Sequence, residues 1–501
     1  MIMMKKELLI LASALGLLTA CPGDDAPPAT TDSDDDSGTG STTNTPTTMT
    51  AGMTAGTGDG TGTGDETATD GGGPVCGNGV VEEGEACDDS GESATCNDDC
   101  TAAACGDGVL NETAGEVCDD GGESAACNDD CTAAMCGDGI VNASAMEDCD
   151  DSGESETCND DCTTSMCGDG VLNETAGEIC DDGNADDFDF CNNLCDVAPA
   201  AVLDMMHVFD TDTGELDGVP QTHWDPATST WYLTGLTLSA GGVLTVVGDT
   251  GLTIMVDGAV DIAGVLDVSG GDGGPATPIN VCDTAGLGGI GGPGGFDGGV
   301  GAGNMGTGTQ DGAPGEGPGM APATGGMSST ATDMIDAASG GGGGGHLLPG
   351  ADGTQNAGTT AGVGGEMHMS LPPLIGGGGG GGGGVEQDGP VGDGLTDADD
   401  EGAGGGGGGG AIAIHSTVSI AVLGTIDASG GDGSSAPGCG DIPGLGGGGA
   451  GGSIELVSPA TDVLLGVLDV SGGLGGYPLS DLPASIGMAG GNGGDGNVSV
   501  M

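Results

Sequence analysis

The chain has 501 residues, with a Lys+Arg total of 2 against an Asp+Glu total of 79 and a formal charge of −77. Both bases, Lys5 and Lys6, stand at the N-terminus. The rest of the chain therefore cannot neutralise phosphates or clamp a phosphoryl group, which excludes nucleic-acid binding and Lys- or Arg-dependent catalysis. It also has no Lys or Arg with which to form salt bridges. Gly supplies 117 residues and aromatics only 2%, which excludes an ordinary core of large side chains.

Lys5 and Lys6 precede an apolar run at residues 8–18. That run is shorter than the ~20 helical residues needed to span a bilayer, so it reads as the core of a signal peptide. Leu18-Thr19-Ala20-Cys21 resembles the lipobox of bacterial lipoproteins. The resemblance implies a signal peptide over 1–20 and a lipid-anchored Cys21. Pro22 follows the cysteine where Asp would favour inner-membrane retention, so the expected address is the outer membrane or cell surface. Residues 21–75 are Thr, Gly, Asp, Ser and Pro with few apolar side chains. Such a segment cannot offset its chain entropy by burial and reads as a disordered stalk.

Residues 76–195 hold four sets of four cysteines: Cys76, Cys87, Cys96, Cys100; Cys105, Cys118, Cys127, Cys131; Cys136, Cys149, Cys158, Cys162; and Cys167, Cys180, Cys191, Cys195. A unit of about 31 residues is too small to hold itself together without staples. An exported chain meets an oxidising compartment, so two disulfides per unit is the natural reading. Four cysteines allow three connectivities, and the spacing does not choose among them. A Cys₄ zinc site is the rival, but no repeat contains a His.

Cys105-Gly106-Asp107-Gly108, Glu116-Val117-Cys118-Asp119-Asp120-Gly121 and Cys127-Asn128-Asp129-Asp130-Cys131 resemble the cysteine-rich disulfide repeat of myxobacterial surface proteins. The resemblance implies an extracellular module and brings no catalytic residues with it. The acids of the repeat, Asp107, Asp119, Asp120, Asp129 and Asp130, admit two readings. One is a structural Ca²⁺ held by carboxylates on tight turns, the single cofactor the chain suggests. The other is a solvated acidic surface.

Residues 196–230 read as a junction or cap, in or beside which six of the eight aromatics fall: Phe188, Phe190, Phe209, Trp224, Trp231 and Tyr232. These aromatics suit a plain apolar cap or a carbohydrate-stacking platform. From 231 to 501, short alternating apolar bursts are punctuated by Gly, Asp or Asn, the signature of strand and turn. Val265-Leu266-Asp267-Val268-Ser269-Gly270-Gly271 recurs as Thr425-Ile426-Asp427-Ala428-Ser429-Gly430-Gly431 and Val467-Leu468-Asp469-Val470-Ser471-Gly472-Gly473. Each copy is followed by a glycine-rich excursion that returns to another strand. This pattern predicts a parallel β-helix or similar solenoid. The glycine runs at 340–345, 376–384 and 404–410 fit either flexible coil or packed helices with three residues per turn. Cys282 and Cys439 are the remaining pair, expected to form a disulfide between two excursions.

The expected fold is therefore mainly β with extensive coil: a disordered stalk, disulfide-stapled repeats, and a glycine-rich β-solenoid. His207, His223, His346, His368 and His415 are scattered without metal or triad spacing, and Glu366-Met367-His368-Met369 reads as a polar loop rather than a copper site. The functional expectation is a non-enzymatic surface lipoprotein with a structural, adhesive or matrix role, anchored in the membrane and facing a glycan or matrix component. The alternative is a solenoid carbohydrate hydrolase using paired carboxylates, with Asp257, Asp261 and Asp267 on or near strands but no marked pair.

Overall fold

With neither large apolar side chains nor bases to spare, the chain folds by two different devices. A computed structural model describes residues 74–276, 284–303, 311–318, 322–327, 338–355, 359–367, 374–385, 401–435, 444–463, 465–477 and 489–501. Cys21, the stalk up to residue 73, Cys282, Cys439 and His368 lie outside the described residues.

In every repeat the first cysteine pairs with the fourth and the second with the third. The bridges are Cys76–Cys100 and Cys87–Cys96, then Cys105–Cys131 and Cys118–Cys127. Cys136–Cys162 and Cys149–Cys158 follow, then Cys167–Cys195 and Cys180–Cys191. This nested pattern selects one of the three open connectivities and keeps every described bridge within its own repeat. The only helical turn among the described residues is a short 3-10 segment, Ala143–Ala145.

From Ala200 onward the chain winds into rungs. The first comprises β1 (Ala200–Leu203) and β2 (Met206–Asp210), the short β3 (Glu215–Leu216), β4 (Val219–Pro220) and β5 (Trp224–Asp225), and β6 (Thr230–Leu233). The second has β7 (Gly235–Leu238), β8 (Val243–Val247) and β9 (Leu252–Val256). The third has β10 (Ala259–Ile262), β11 (Val265–Asp267) and β12 (Ala411–Ser416); the fourth has β13 (Ser419–Val422), β14 (Thr425–Asp427) and β15 (Ser453–Val457). The last has β16 (Thr461–Asp462), β17 (Val467–Asp469) and β18 (Asn497–Val500).

Corresponding strands stack in parallel into three sheets of five, seven and six strands. Alternate residues point inward, so Leu236, Ile262, Leu244, Leu266, Ile254, Ile412 and Leu456 form one buried column. Short antiparallel pairs, β2 with β3, β3 with β4 and β5 with β6, close the first rung. Phe209, Trp224 and Trp231 lie inside that end, all buried, with the Phe209 and Trp231 rings 4.8 Å apart. These three rings are core, not an exposed platform. The 196–230 stretch thus supplies five strands of the first rung as well as its cap.

The excursions leave after β11, β14 and β17 and pack as extended glycine segments. The segment 402–411 shows the rule. Its N–H groups take partners in a cycle of three: Gly402, Gly405 and Gly408 donate to Ala302, Gly299 and Phe296, and Ala403, Gly406 and Gly409 to Gly444, Gly447 and Ala450. Gly404, Gly407 and Gly410 donate to Gly274, Gly271 and Val268. Its carbonyls accept in the same cycle, for example from Gly289, Gly380 and Gly431. A three-residue turn of the polyproline II kind therefore has neighbours on every side. A Cβ added to Gly406 would fall 2.0 Å from the carbonyl oxygen of Gly431, and one added to Gly405 2.2 Å from that of Gly380. From Gly404 to Gly410 glycine is a packing requirement, and the backbone bonds offset its entropic cost of about 1 kcal/mol per residue relative to Ala. At the edge of the bundle one residue per turn is released from this constraint: Leu287 and Ile290, three apart, are both exposed.

The bundle also covers part of the third sheet. Ala411, Ala413 and Ser453 occupy outward positions yet are buried, and Ser453 Oγ donates to the Ile375 carbonyl at 2.9 Å.

Candidate functional site

The acid-rich repeats hold the densest constellation of functional side chains among the described residues. In repeat two, Cys105-Gly106-Asp107-Gly108 curls so that successive N–H groups face one point. Gly106 and Gly108 have φ of 86° and 85°, a region that favours glycine. Such a concavity of N–H groups normally attracts an anion. Here the anion is internal. Asp119 Oδ2 accepts from Gly106 N at 3.0 Å and Asp107 N at 3.1 Å, and Oδ1 accepts from Gly108 N and Gly121 N, both at 2.9 Å. Asp88 and Asp150 repeat the arrangement, and Asp181 follows it in repeat four.

These bonds hold all four carboxyls below the ordinary carboxylate range. For Asp88 and Asp119 the leading cause is the N–H two residues on, from Ser90 and Gly121. For Asp150 and Asp181 burial is the largest single effect and opposes the shift, but the N–H donors together outweigh it.

The five acids singled out in the sequence are thus divided among separate tasks. Asp119 fills the N–H concavity. Asp107 spans two repeats, accepting from Asn97 Nδ2 at 2.9 Å through Oδ2 and from Val109 N through Oδ1. Asp120 takes the Ser124 hydroxyl and Asp130 the Thr132 hydroxyl, while Asp129 is exposed. The acids whose oxygens converge are instead Glu116 and Asp119, beside Cys131, and the same trio recurs in each repeat. The sulfur is tied into the Cys105–Cys131 bridge and cannot act as a thiolate. Each carboxylate oxygen offers about two acceptor sites, and Asp119 has both of its pairs filled by backbone. It has no site left for a cation without losing an N–H bond.

Sequence reasoning overlooked the asparagines. Asn142 is fully buried, and its Nδ2 donates to Ser124 O, Cys127 O and Asn128 Oδ1 of the preceding repeat at 2.9–3.1 Å. Asn111 and Asn173 do the same to their own predecessors. Glu92, Glu123 and Glu154 add a second tie, accepting from the N–H of Thr113, Ser144 and Thr175. The available signal was positional. Asn stands six residues after the first cysteine of repeats two to four, whereas repeat one, with no predecessor, carries Glu82.

The four described histidines serve local structure. His207 Nδ1 lies 2.7 Å from Asp217 and His415 Nε2 lies 2.9 Å from Glu455, so histidine supplies ion-pair geometry in a body without Lys or Arg. His223 is buried with Nε2 3.1 Å from the Asp196 carbonyl, and His346 is buried beside Ser453. Asp261 lies on the first sheet and Asp267 on the second, while Asp257 accepts from Thr417 Oγ1. Asp432 is the acid of the glycine region that burial pushes upward, with Asp272 of the preceding rung adding repulsion. No known protein family, curated protein or solved structure matches the chain.

Proposed function

We propose that the protein is a non-enzymatic cell-surface lipoprotein with a structural, adhesive or matrix-interaction role, anchored through Cys21 and facing a glycan or matrix component. The observation that carries this reading is how its buried and half-buried polar groups are used. The carboxylates of Asp88, Asp119 and Asp150 and the amides of Asn111, Asn142 and Asn173 bind backbone and neighbouring repeats. In the glycine bundle, N–H and C=O groups bind one another. Groups committed in this way give a durable body rather than a reactive cleft.

Eight disulfides support an oxidising compartment and hence export. The repeat frame, with its Cys-Gly-Asp-Gly turn, supports kinship with the disulfide repeats of myxobacterial surface proteins. A lipid at Cys21 would supply stable anchoring, since acyl chains contribute about 0.8 kcal/mol per buried CH₂.

The test is metabolic labelling with an alkyne fatty acid. Label should enter the wild-type chain, Cys21→Ala should abolish it and release the chain from the membrane fraction, and proteinase K should reach the body on intact cells. An unlabelled chain protected inside intact cells overturns the reading.

A further inference from the structure

The outer face of the second sheet carries a largely aliphatic row, broken only by Thr425, beside an acidic one. Strands β2, β8, β11, β14 and β17 stack in register, which aligns Met206, Val243, Val265, Thr425 and Val467 in one outward row. Two residues further along the strands, the next outward row ends in Asp267, Asp427 and Asp469 on adjacent strands. The residues between the two rows, such as Leu266 and Ile426, point inward and are fully buried. Leu423 and Leu465, at the corners leading into β14 and β17, extend the aliphatic row and are 58% and 77% exposed. With strands ~4.8 Å apart, the stripe runs about 19 Å across five rungs.

Among the described residues neither row meets a base or an apolar partner strand. Scattered exposed aliphatics are ordinary, but an aligned stripe of them marks an interaction surface. Like charges directly opposite on neighbouring strands destabilise a sheet. The body has no Lys or Arg to place among the three aspartates. Their orientation is fixed, because Ser269, Ser429 and Ser471 each donate N–H to Oδ1 of the aspartate two residues before, at 3.0 Å.

We propose that this face docks an extended, basic segment of a partner protein, whose aliphatic side chains cover the stripe while its Lys or Arg side chains meet the aspartate ladder. Charge selects the occupant. A second copy of this chain brings further negative charge and no base in its body, and an anionic lipid surface brings the same sign as the ladder. The proposal deepens the structural and adhesive reading, on which it rests, by naming the chemistry of the partner.

The probe is a fluorescent peptide repeating Val-Lys-Thr-Lys, titrated against the full chain by anisotropy at physiological salt. The triple variant Asp267→Asn, Asp427→Asn, Asp469→Asn should weaken binding by about tenfold. The pair Leu423→Ser, Leu465→Ser should weaken it by about threefold through lost apolar cover. A charge-matched control in the repeats, Glu83→Gln, Glu112→Gln, Asp129→Asn, should change it by less than about twofold. A control that weakens binding as much as the ladder triple would show diffuse attraction to an acidic body and overturn the proposal. So would wild-type dimers in sedimentation that the leucine pair abolishes, or stripe-dependent flotation with phosphatidylglycerol vesicles. Those failures leave the labelling result at Cys21 untouched, whereas an unlabelled, internal chain overturns the broader reading whatever the peptide does.

Discussion

The repeats and the glycine bundle meet one difficulty in opposite ways. Both are poor in large apolar side chains, and neither contains a Lys or Arg. The repeats rely on side chains: nested disulfides, a carboxylate in each N–H concavity, and an asparagine at each junction. The bundle relies on their absence, so that backbone meets backbone on all sides. The difference teaches where each region is vulnerable. Repeats fail when a side chain is removed, and the bundle fails when one is added.

The sharpest way to break the bundle is Gly406→Val. The new side chain would meet backbone 2.0 Å from its Cβ, with no flexible neighbour to yield. Overpacking of this kind should cost more than about 3 kcal/mol, seen as loss of the solenoid transition in thermal melts. Ile290→Ser, at a 76% exposed edge position, should stay within about 0.5 kcal/mol, which isolates position in the bundle as the cause. In the repeats, Cys118→Ser with Cys127→Ser opens one inner bridge and should cost about 2–4 kcal/mol, leaving the solenoid transition in place. Differential scanning calorimetry separates the two transitions.

Asn142→Ala removes the side-chain donor from the Ser124 and Cys127 carbonyls of the preceding repeat, each of which keeps only its backbone N–H partner. It should cost about 1–3 kcal/mol and loosen repeat two from repeat three, read as faster amide exchange at that junction alone. The smallest effect expected is that of pH, and its sign differs between regions. Asp88, Asp119, Asp150 and Asp181 titrate below their unfolded value, so their contribution is present above the ordinary range of about 4 and is lost as pH falls through the depressed values. Asp432 is raised by burial, so the folded glycine region takes up its proton more readily and gains stability as pH falls through that value. Melts from neutral to acid pH should move the repeat transition down while Asp432 contributes the other way, and Asp432→Asn should remove its share. Any rise of the repeat transition in Ca²⁺ beyond that in Na⁺ at matched ionic strength should come from carboxylates other than Asp119, whose acceptor sites are already filled.

Much of this architecture is legible wherever a residue type can do only one thing. Cysteines at a fixed recurrence must staple, and Val-Leu-Asp-Val-Ser-Gly-Gly, repeated with its flanking strands, marks the stacked rungs. The first rung is harder to see, because Ala200, Ala201 and Val202 carry little alternation and β1 is recognised only by its partner β7. Cysteine connectivity depends on how the chain turns, and spacing is silent on that. The acids were legible as acids but not by task. Asp119 and Asp120 are adjacent and identical in composition, yet one fills an N–H concavity and the other holds a hydroxyl. Glycine runs carry no pattern because a segment surrounded on every side needs glycine at every position, and uniformity in sequence then looks the same as flexible coil.

The six-sided surroundings of the segment 402–411 have a kinetic consequence. Its partners come from residues 268–274, 286–302, 377–383, 431–434 and 444–450, on both sides of it in the chain. Contacts of such high sequence separation make folding slow, because loop closure must precede the bonds that reward it. A nascent chain that has emerged only as far as residue 411 lacks about a third of that shell, the stretches 431–434 and 444–450, so the bundle cannot close vectorially behind the emerging chain. It must wait for the later excursion and then assemble around strands that the solenoid has already brought into register.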